Sequence, residues 1–200
     1  MWKQLTISSG VLPLVLASLM TPMALATEPV EPVESAALGV NRDLPWSEPV
    51  QIDDPFEGSF VGVFDRHYFS DLLLNSSVRI EVQSLWTREF ARVLLTTRDR
   101  DCLSAPAGAV LSSRCSEFNN PRNITQLLIK IDNEIFQLDR QGSVFPISEP
   151  VAIALQNASD EVVRIRLISD TGEMIDSEIG AGTVAAWETI YAPEPIANNP

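Results

Sequence analysis

Leu127-Leu128-Ile129-Lys130-Ile131-Asp132-Asn133-Glu134-Ile135-Phe136-Gln137-Leu138 is the stretch on which the fold of this chain turns. Leu127, Ile129 and Ile131 alternate with Lys130 and Asp132, the two-residue period of a strand buried on one face. Asp132 and Asn133 tolerate the positive φ that a tight hairpin needs, and Ile135–Leu138 then returns as a second strand. Downstream, Asp139–Ser143 makes another turn before Val144–Ile147. Ser148-Glu149-Pro150 caps and opens a short helix through Gln156, with Pro in its first turn. Val163, Ile165 and Leu167 against Arg164 and Arg166 predict a strand, Asp170–Glu173 a turn, and Met174–Ile179 a returning strand. Gly180-Ala181-Gly182 breaks the chain, and Thr183–Tyr191 is expected to close it as a strand with Trp187 and Tyr191 on one face.

Upstream, Val78, Ile80 and Val82 alternate with Arg79 and Glu81, again a half-buried strand. Trp86, Phe90, Val93, Leu94 and Thr97 then fall at helical spacing, with Arg88, Glu89 and Arg92 opposite and Ser84 placed as an N-cap. This predicts an amphipathic helix over 85–97, against which the strand propensity of 93–97 competes. The elements together predict a mainly β (α+β) domain: an antiparallel β-meander, sandwich-like, carrying one or two short helices. No fixed repeat marks a solenoid or propeller.

The run Leu128–Ile131, Ile135–Leu138 and Val144–Ser148, with Val163–Leu167 and Gly180–Val184, resembles a family of exported β-rich proteins of cyanobacteria. The likeness spans about the last third of the chain and consists of a β-rich pattern, not a chemical motif. It implies an extracytoplasmic location in a bacterium and carries over no catalytic residue.

The N-terminus gives an address of its own. Lys3, the apolar run Leu5–Met20 and the small residues of Ala24-Leu25-Ala26 read as a signal peptide, residues 1–26, cleaved before Thr27. Ser8, Ser9, Gly10 and Pro13 interrupt the run, which falls short of the ~20 apolar residues that span a bilayer. The expected location is therefore periplasm, thylakoid lumen or medium. Between Thr27 and Asp65 stand nine acidic residues and one basic residue, with Pro29, Pro32, Pro45, Pro49 and Pro55 spread among them. Residues 27–55 are accordingly expected as a flexible acidic arm, unless Leu44, Trp46 and Val50 pack it onto the domain. A single domain is expected over 56–191, with a Pro/Asn-rich disordered tail over 192–200.

The formal net charge of −13 sets the partners. Such a chain repels nucleic-acid phosphates and anionic membrane surfaces, so neither is expected as a partner. Twelve of the fourteen basic residues are Arg, and Lys130 is the only Lys beyond the leader, which leaves little room for lysine chemistry. Cys102 and Cys115 are expected to sit in a Gly/Pro/Ser-containing loop, with twelve residues between them. An even cysteine count in an exported chain predicts a disulfide, while the spacing matches neither C-x-x-C redox pairs nor a four-ligand zinc site.

Catalytic patterns are sparse. His67, the sole histidine, lies in Phe64-Asp65-Arg66-His67-Tyr68-Phe69, where it would serve as general base only beside a serine, and no G-x-S-x-G elbow occurs. Carboxylates pair at Asp53-Asp54, Asp99/Asp101 and Asp176/Glu178; the last pair shares one strand face, as glycosidase acids do. Asp99-Arg100-Asp101 lacks the spacing of a calcium loop. Gly180-x-Gly182-x-x-Ala185 echoes a dinucleotide fingerprint but has no βαβ unit around it. Asn75, Asn123 and Asn157 head glycosylation patterns that matter only in a eukaryotic secretory route. Trp86 and Trp187 are expected as core, with Trp46 less certain of burial. No cofactor, metal site or catalytic set is expected. The expected function is a non-enzymatic envelope module that binds another envelope protein through an edge strand or the acidic arm. The alternatives are an exported hydrolase using Asp176 and Glu178, or a calcium-dependent binding domain.

Overall fold

The computed structural model describes residues 32–40, 42–70, 78–103, 114–159 and 161–193; for 99–103 and 114–118 it describes the backbone path alone. The expected leader lies outside these residues, as do 194–200 of the expected tail. The chain is a mainly antiparallel β fold with two short helices among the described residues. Its elements run β1 (Pro49–Asp54), β2 (Gly58–Ser70), β3 (Arg79–Thr87), β4 (Phe90–Leu103), β5 (Arg114–Arg122), β6 (Ile124–Ile131), β7 (Glu134–Asp139), β8 (Phe145–Pro146), α1 (Glu149–Gln156), β9 (Val163–Ser169), β10 (Met174–Ile179) and α2 (Ala181–Ile190).

Two sheets form. The larger orders β1-β2-β3-β4-β5 as an up-and-down meander, with β8 paired to the near end of β4; the smaller orders β10-β9-β6-β7. The alternation read in 127–138 is the β6–β7 hairpin, with Leu127 opposite Leu138 and Ile131 opposite Glu134. Asp132 at its turn has φ of 50°, as the hairpin demands. Inward side chains of both sheets, among them Val82, Trp86, Leu95, Leu127, Ile129, Ile165 and Leu167, merge into one core with α1 and α2. Trp86 and Trp187 meet edge to face in it, with ring centroids 4.9 Å apart, so both tryptophans fill the core as expected.

The helix expected over 85–97 is instead the end of β3, a turn at Arg88-Glu89, and β4. Its helical spacing is an accident of a sheet buried on both faces, where apolar residues need not alternate. Trp86 and Val93 face the shared core, whereas Leu85 and Phe90 belong to a second one. Ser84 caps nothing; its Oγ accepts the Trp86 indole N–H at 2.7 Å.

The second core explains the other large departure. The acidic stretch expected as a free arm is, where described, a strap that lies along the outer face of the larger sheet and ends in β1. Ala36, Leu44, Val50 and Ile52 are buried there against Phe64 and Leu85. Val33 bridges Ile52 in parallel, closing part of the β1 edge. Gly39 gives its N–H to Gln83 Oε1 and takes the Gln83 amide in return, both at 3.0 Å. Ala36 donates its N–H to Asp54 at 2.9 Å and accepts from Arg92 at 3.3 Å. Leu44, Trp46 and Val50, the residues that could pack an arm, are the ones that do. Phe56, where the core was expected to start, is 95% exposed at the β1–β2 turn. Gly62 permits the closeness: a Cβ there would stand 2.9 Å from Leu85 and 3.1 Å from Ile52.

The third departure is α2. Thr183–Tyr191, expected as a strand, is instead the body and C-cap of a helix, which Asp65 of β2 caps from far along the chain. Gly180, at the N-cap position, has no capping side chain. Asp65 Oδ1 accepts the Gly180 N–H at 3.2 Å and the Thr183 hydroxyl at 2.6 Å, placing a carboxylate at the positive helix end.

If the strap is part of the fold, Leu44→Ala lowers the unfolding free energy by about 2 to 4 kcal/mol in a urea titration. A change under about 0.5 kcal/mol, the usual size for a surface position, contradicts it.

Candidate functional site

The smaller sheet keeps one face dry and leaves the other open. Val163, Ile165, Leu167, Ile175, Ser177 and Ile179 point inward, and Arg164, Arg166, Asp176 and Glu178 between them point out. Strand register sets these outward groups in rows. Glu178, Arg164, Lys130 and Ile135 stand side by side across four strands, and Asp176, Arg166, Leu128 and Gln137 form the next row. With His67 from β2, all of these but Gln137 line a hollow of about 590 Å³. A smaller one of about 270 Å³, bordered by Asp132, Ser159 and Glu161, shares Lys130 and Arg164, so these two cations stand on the ridge between them.

The two rows differ in their electrostatics. Arg166 grips Asp176 in a two-pronged ion pair, Nε to Oδ1 at 2.5 Å and the terminal nitrogen to Oδ2 at 2.8 Å. These hydrogen bonds hold the Asp176 carboxyl below its ordinary range, with the guanidinium charge adding to them, and push Arg166 up in turn. Lys130 and Arg164, opposite one another in register, have no ion-pair partner among the described residues.

The residues singled out in the sequence fall in several places. Asp176 and Glu178 do share a face, about 7 Å apart along the strand from its rise per residue. A glycosidase acid needs a raised pKa, whereas Asp176 is tied to Arg166 and held ionised. His67 does find a serine: its Nδ1 lies 3.0 Å from Ser177 Oγ. Ser177 is buried on the inward face of β10, and Asp65, the acid nearest in sequence, spends Oδ1 on α2. The pair ties the two sheets together, and both residues also border the hollow. Asp54 caps the β1–β2 turn through the Phe56 and Glu57 N–H groups, and Asp53 is bonded to Ser59 at 2.5 Å. The side chains of Asp99 and Asp101 lie outside the described residues. No group of three or more metal-binding side chains gathers among those described. Gly180 is the N-cap of α2 and Gly182 lies in its first turn, yet the adjoining sheet is antiparallel, and a Cβ on Gly182 would meet Ser47 at 3.0 Å. Asn123 is held by Asp170 and Arg140, and Asn157 ends α1; Asn75 lies outside the described residues.

The backbone register sets Cys102 of β4 directly opposite Cys115 of β5. The cysteines thus stand on paired strand ends, not within the loop between them; their side chains lie outside the described residues.

Sequence reasoning noted Arg164 and Arg166 only as the polar side of a strand. What brings them to Lys130 is the β6–β9 pairing, which joins strands more than thirty positions apart, with β7, β8 and α1 between. Neither a protein-family model, nor a curated protein, nor a solved structure matches the chain. Among the described residues no helix is long and apolar enough to cross a membrane.

Asp65 gives a pH signature. Burial pushes its carboxyl up, opposed by the Thr183 hydroxyl and the Gly180 N–H. The folded chain therefore holds this proton to higher pH than the unfolded chain, whose Asp titrates near ~3.9. The favourable protonated contribution is complete below that value and fades as pH rises to the folded pKa. Melting curves of wild type and Asp65→Asn across this window should diverge, the variant gaining relative stability as pH rises. Parallel curves contradict the assignment.

Proposed function

We propose that this chain is an exported, non-enzymatic binding module of the cell envelope, engaging another envelope protein through the open face of its smaller sheet. The observation that carries the reading is the hollow itself. Its size falls in the range of about 300 to 1,000 Å³ typical of ligand sites, and its lining combines apolar Leu128 and Ile135 with two cations, Lys130 and Arg164, that have no ion-pair partner among the described residues. A sheet face that only had to be soluble would balance its charges, as the neighbouring Arg166–Asp176 row does. The acidic stretch before β1 contributes less than its composition suggests, because its described part is committed to the larger sheet.

The leader-like first 26 residues support export. So does the cross-strand placement of Cys102 and Cys115: directly opposed strand residues have Cα atoms about 4.5 to 5.5 Å apart, within the span a disulfide needs. We propose that they are bonded in the mature protein, closing the loop between β4 and β5.

The reading is tested by capture from envelope extract, comparing residues 27–200 with the Lys130→Glu/Arg164→Glu variant. Loss of a salt-sensitive partner in the variant is the expected result. An unchanged set of captured proteins sinks the assignment of this face.

For the disulfide, thiol titration of the denatured, unreduced protein should find no free thiol, and reduction should lower stability by about 3 kcal/mol in the chain-entropy account. Two titratable thiols contradict it.

A further inference from the structure

We infer that the hollow accepts a partner segment in which a carboxylate stands beside a bulky apolar side chain. This rests on the binding-module reading and names the chemistry it recognises. Lys130 and Arg164 are nearest neighbours across β6 and β9. Like charges placed directly opposite on one sheet face destabilise the pair. Shortage of carboxylates does not explain the arrangement, since the chain carries 27 acidic residues against 14 basic. Arg166, two residues along the same strand, is fully matched by Asp176. Glu178, opposite Arg164 on its other side, forms no ion pair with it among the described residues.

A carboxylate set between the two cations relieves the repulsion. The planar Arg164 fork can take both oxygens, while Lys130 adds a point charge from the other side. The apolar half of the ligand has its own ground. Ile135, directly opposite Lys130 in register, is 65% exposed on the edge strand β7, and Leu128 lies on the Lys130 face one row away. Apolar contact beside a buried charge pair is the pattern that gives interfaces both affinity and orientation. Asp176 and Glu178 border the same hollow and repel a second carboxylate, which limits the segment to one acid beside its apolar neighbour.

The test is a fluorescence-anisotropy titration of the whole exported chain, residues 27–200, with labelled capped peptides containing Leu-Glu-Leu, Leu-Gln-Leu or Ala-Glu-Ala. Leu-Glu-Leu should bind measurably below about 1 mM, and each of the other two at least about tenfold more weakly, a difference of ~1.4 kcal/mol. Arg164→Gln and Lys130→Met change exposed side chains and leave the fold intact; each should remove the preference for Glu over Gln. Equal binding of the Glu and Gln peptides overturns the inference, as does absence of binding at about 1 mM or a preference that survives both substitutions. If the peptides fail while envelope capture still depends on Lys130 and Arg164, the binding-module reading stands and this inference alone falls. If capture is also unchanged, both fall.

Discussion

Glu81 and Gln83 point from β3 onto a face of the larger sheet that is closed to water, and the rest of the architecture follows from satisfying them. Every residue of β3 after Arg79 is buried, and a buried polar group without a partner costs more than its hydrogen bond returns. Gln83 donates to Glu81 at 2.7 Å and clamps the backbone of Gly39. Glu81 takes Arg98 at 2.7 Å, and its hydrogen bond joins burial in holding the Tyr68 hydroxyl above its ordinary range. The strap is therefore a required layer. Without it, Gln83 loses its backbone partner and Phe64 and Leu85 lose their cover.

The same strap reaches the opposite layer at its far end. Ser47, at φ of 65°, gives its N–H to Phe64 at 2.7 Å, and its hydroxyl lies 3.2 Å from Thr183. Strap, β2 and α2 meet at this point, with Asp65 between them. The larger sheet is thus covered on one face by the strap and on the other by the smaller sheet and its helices. Among the described residues the smaller sheet has no second cover. Its outer rows of charge remain open, which is why the proposed contact is placed there and not on the acidic stretch that composition alone would favour.

How much of this was legible depends on how local each cause was. Strands with one wet face announced themselves: β6, β9 and β10 alternate cleanly, and α1 opens on its own Ser148-Glu149-Pro150 signal. β4 did not, because Val93 and Leu95 serve one core while Phe90 and Arg92 face the strap, which removes the two-residue period. α2 was hidden for a different reason: its first turn is held by Asp65, 115 positions earlier than the Gly180 N–H it accepts, and Thr183, Val184, Trp187 and Ile190 carry strand propensity. Pro-rich acidic composition misrepresented residues 32–54, whose four buried apolar side chains needed a sheet face before their role could show. In the site, Asp176 and Glu178 were visible as a pair, but Arg166 as the partner of Asp176 was not. Lys130 beside Arg164 needed the non-local β6–β9 register.

Amide hydrogen exchange tests the strap most directly. Val33, Ala36 and Gly39 donate their N–H groups to Gln51, Asp54 and Gln83, so these amides should exchange as slowly as those of β3, opening only with the whole fold. Exchange of all three at nearly unprotected rates, while β3 stays protected, would mean that the strap is not a layer of the structure.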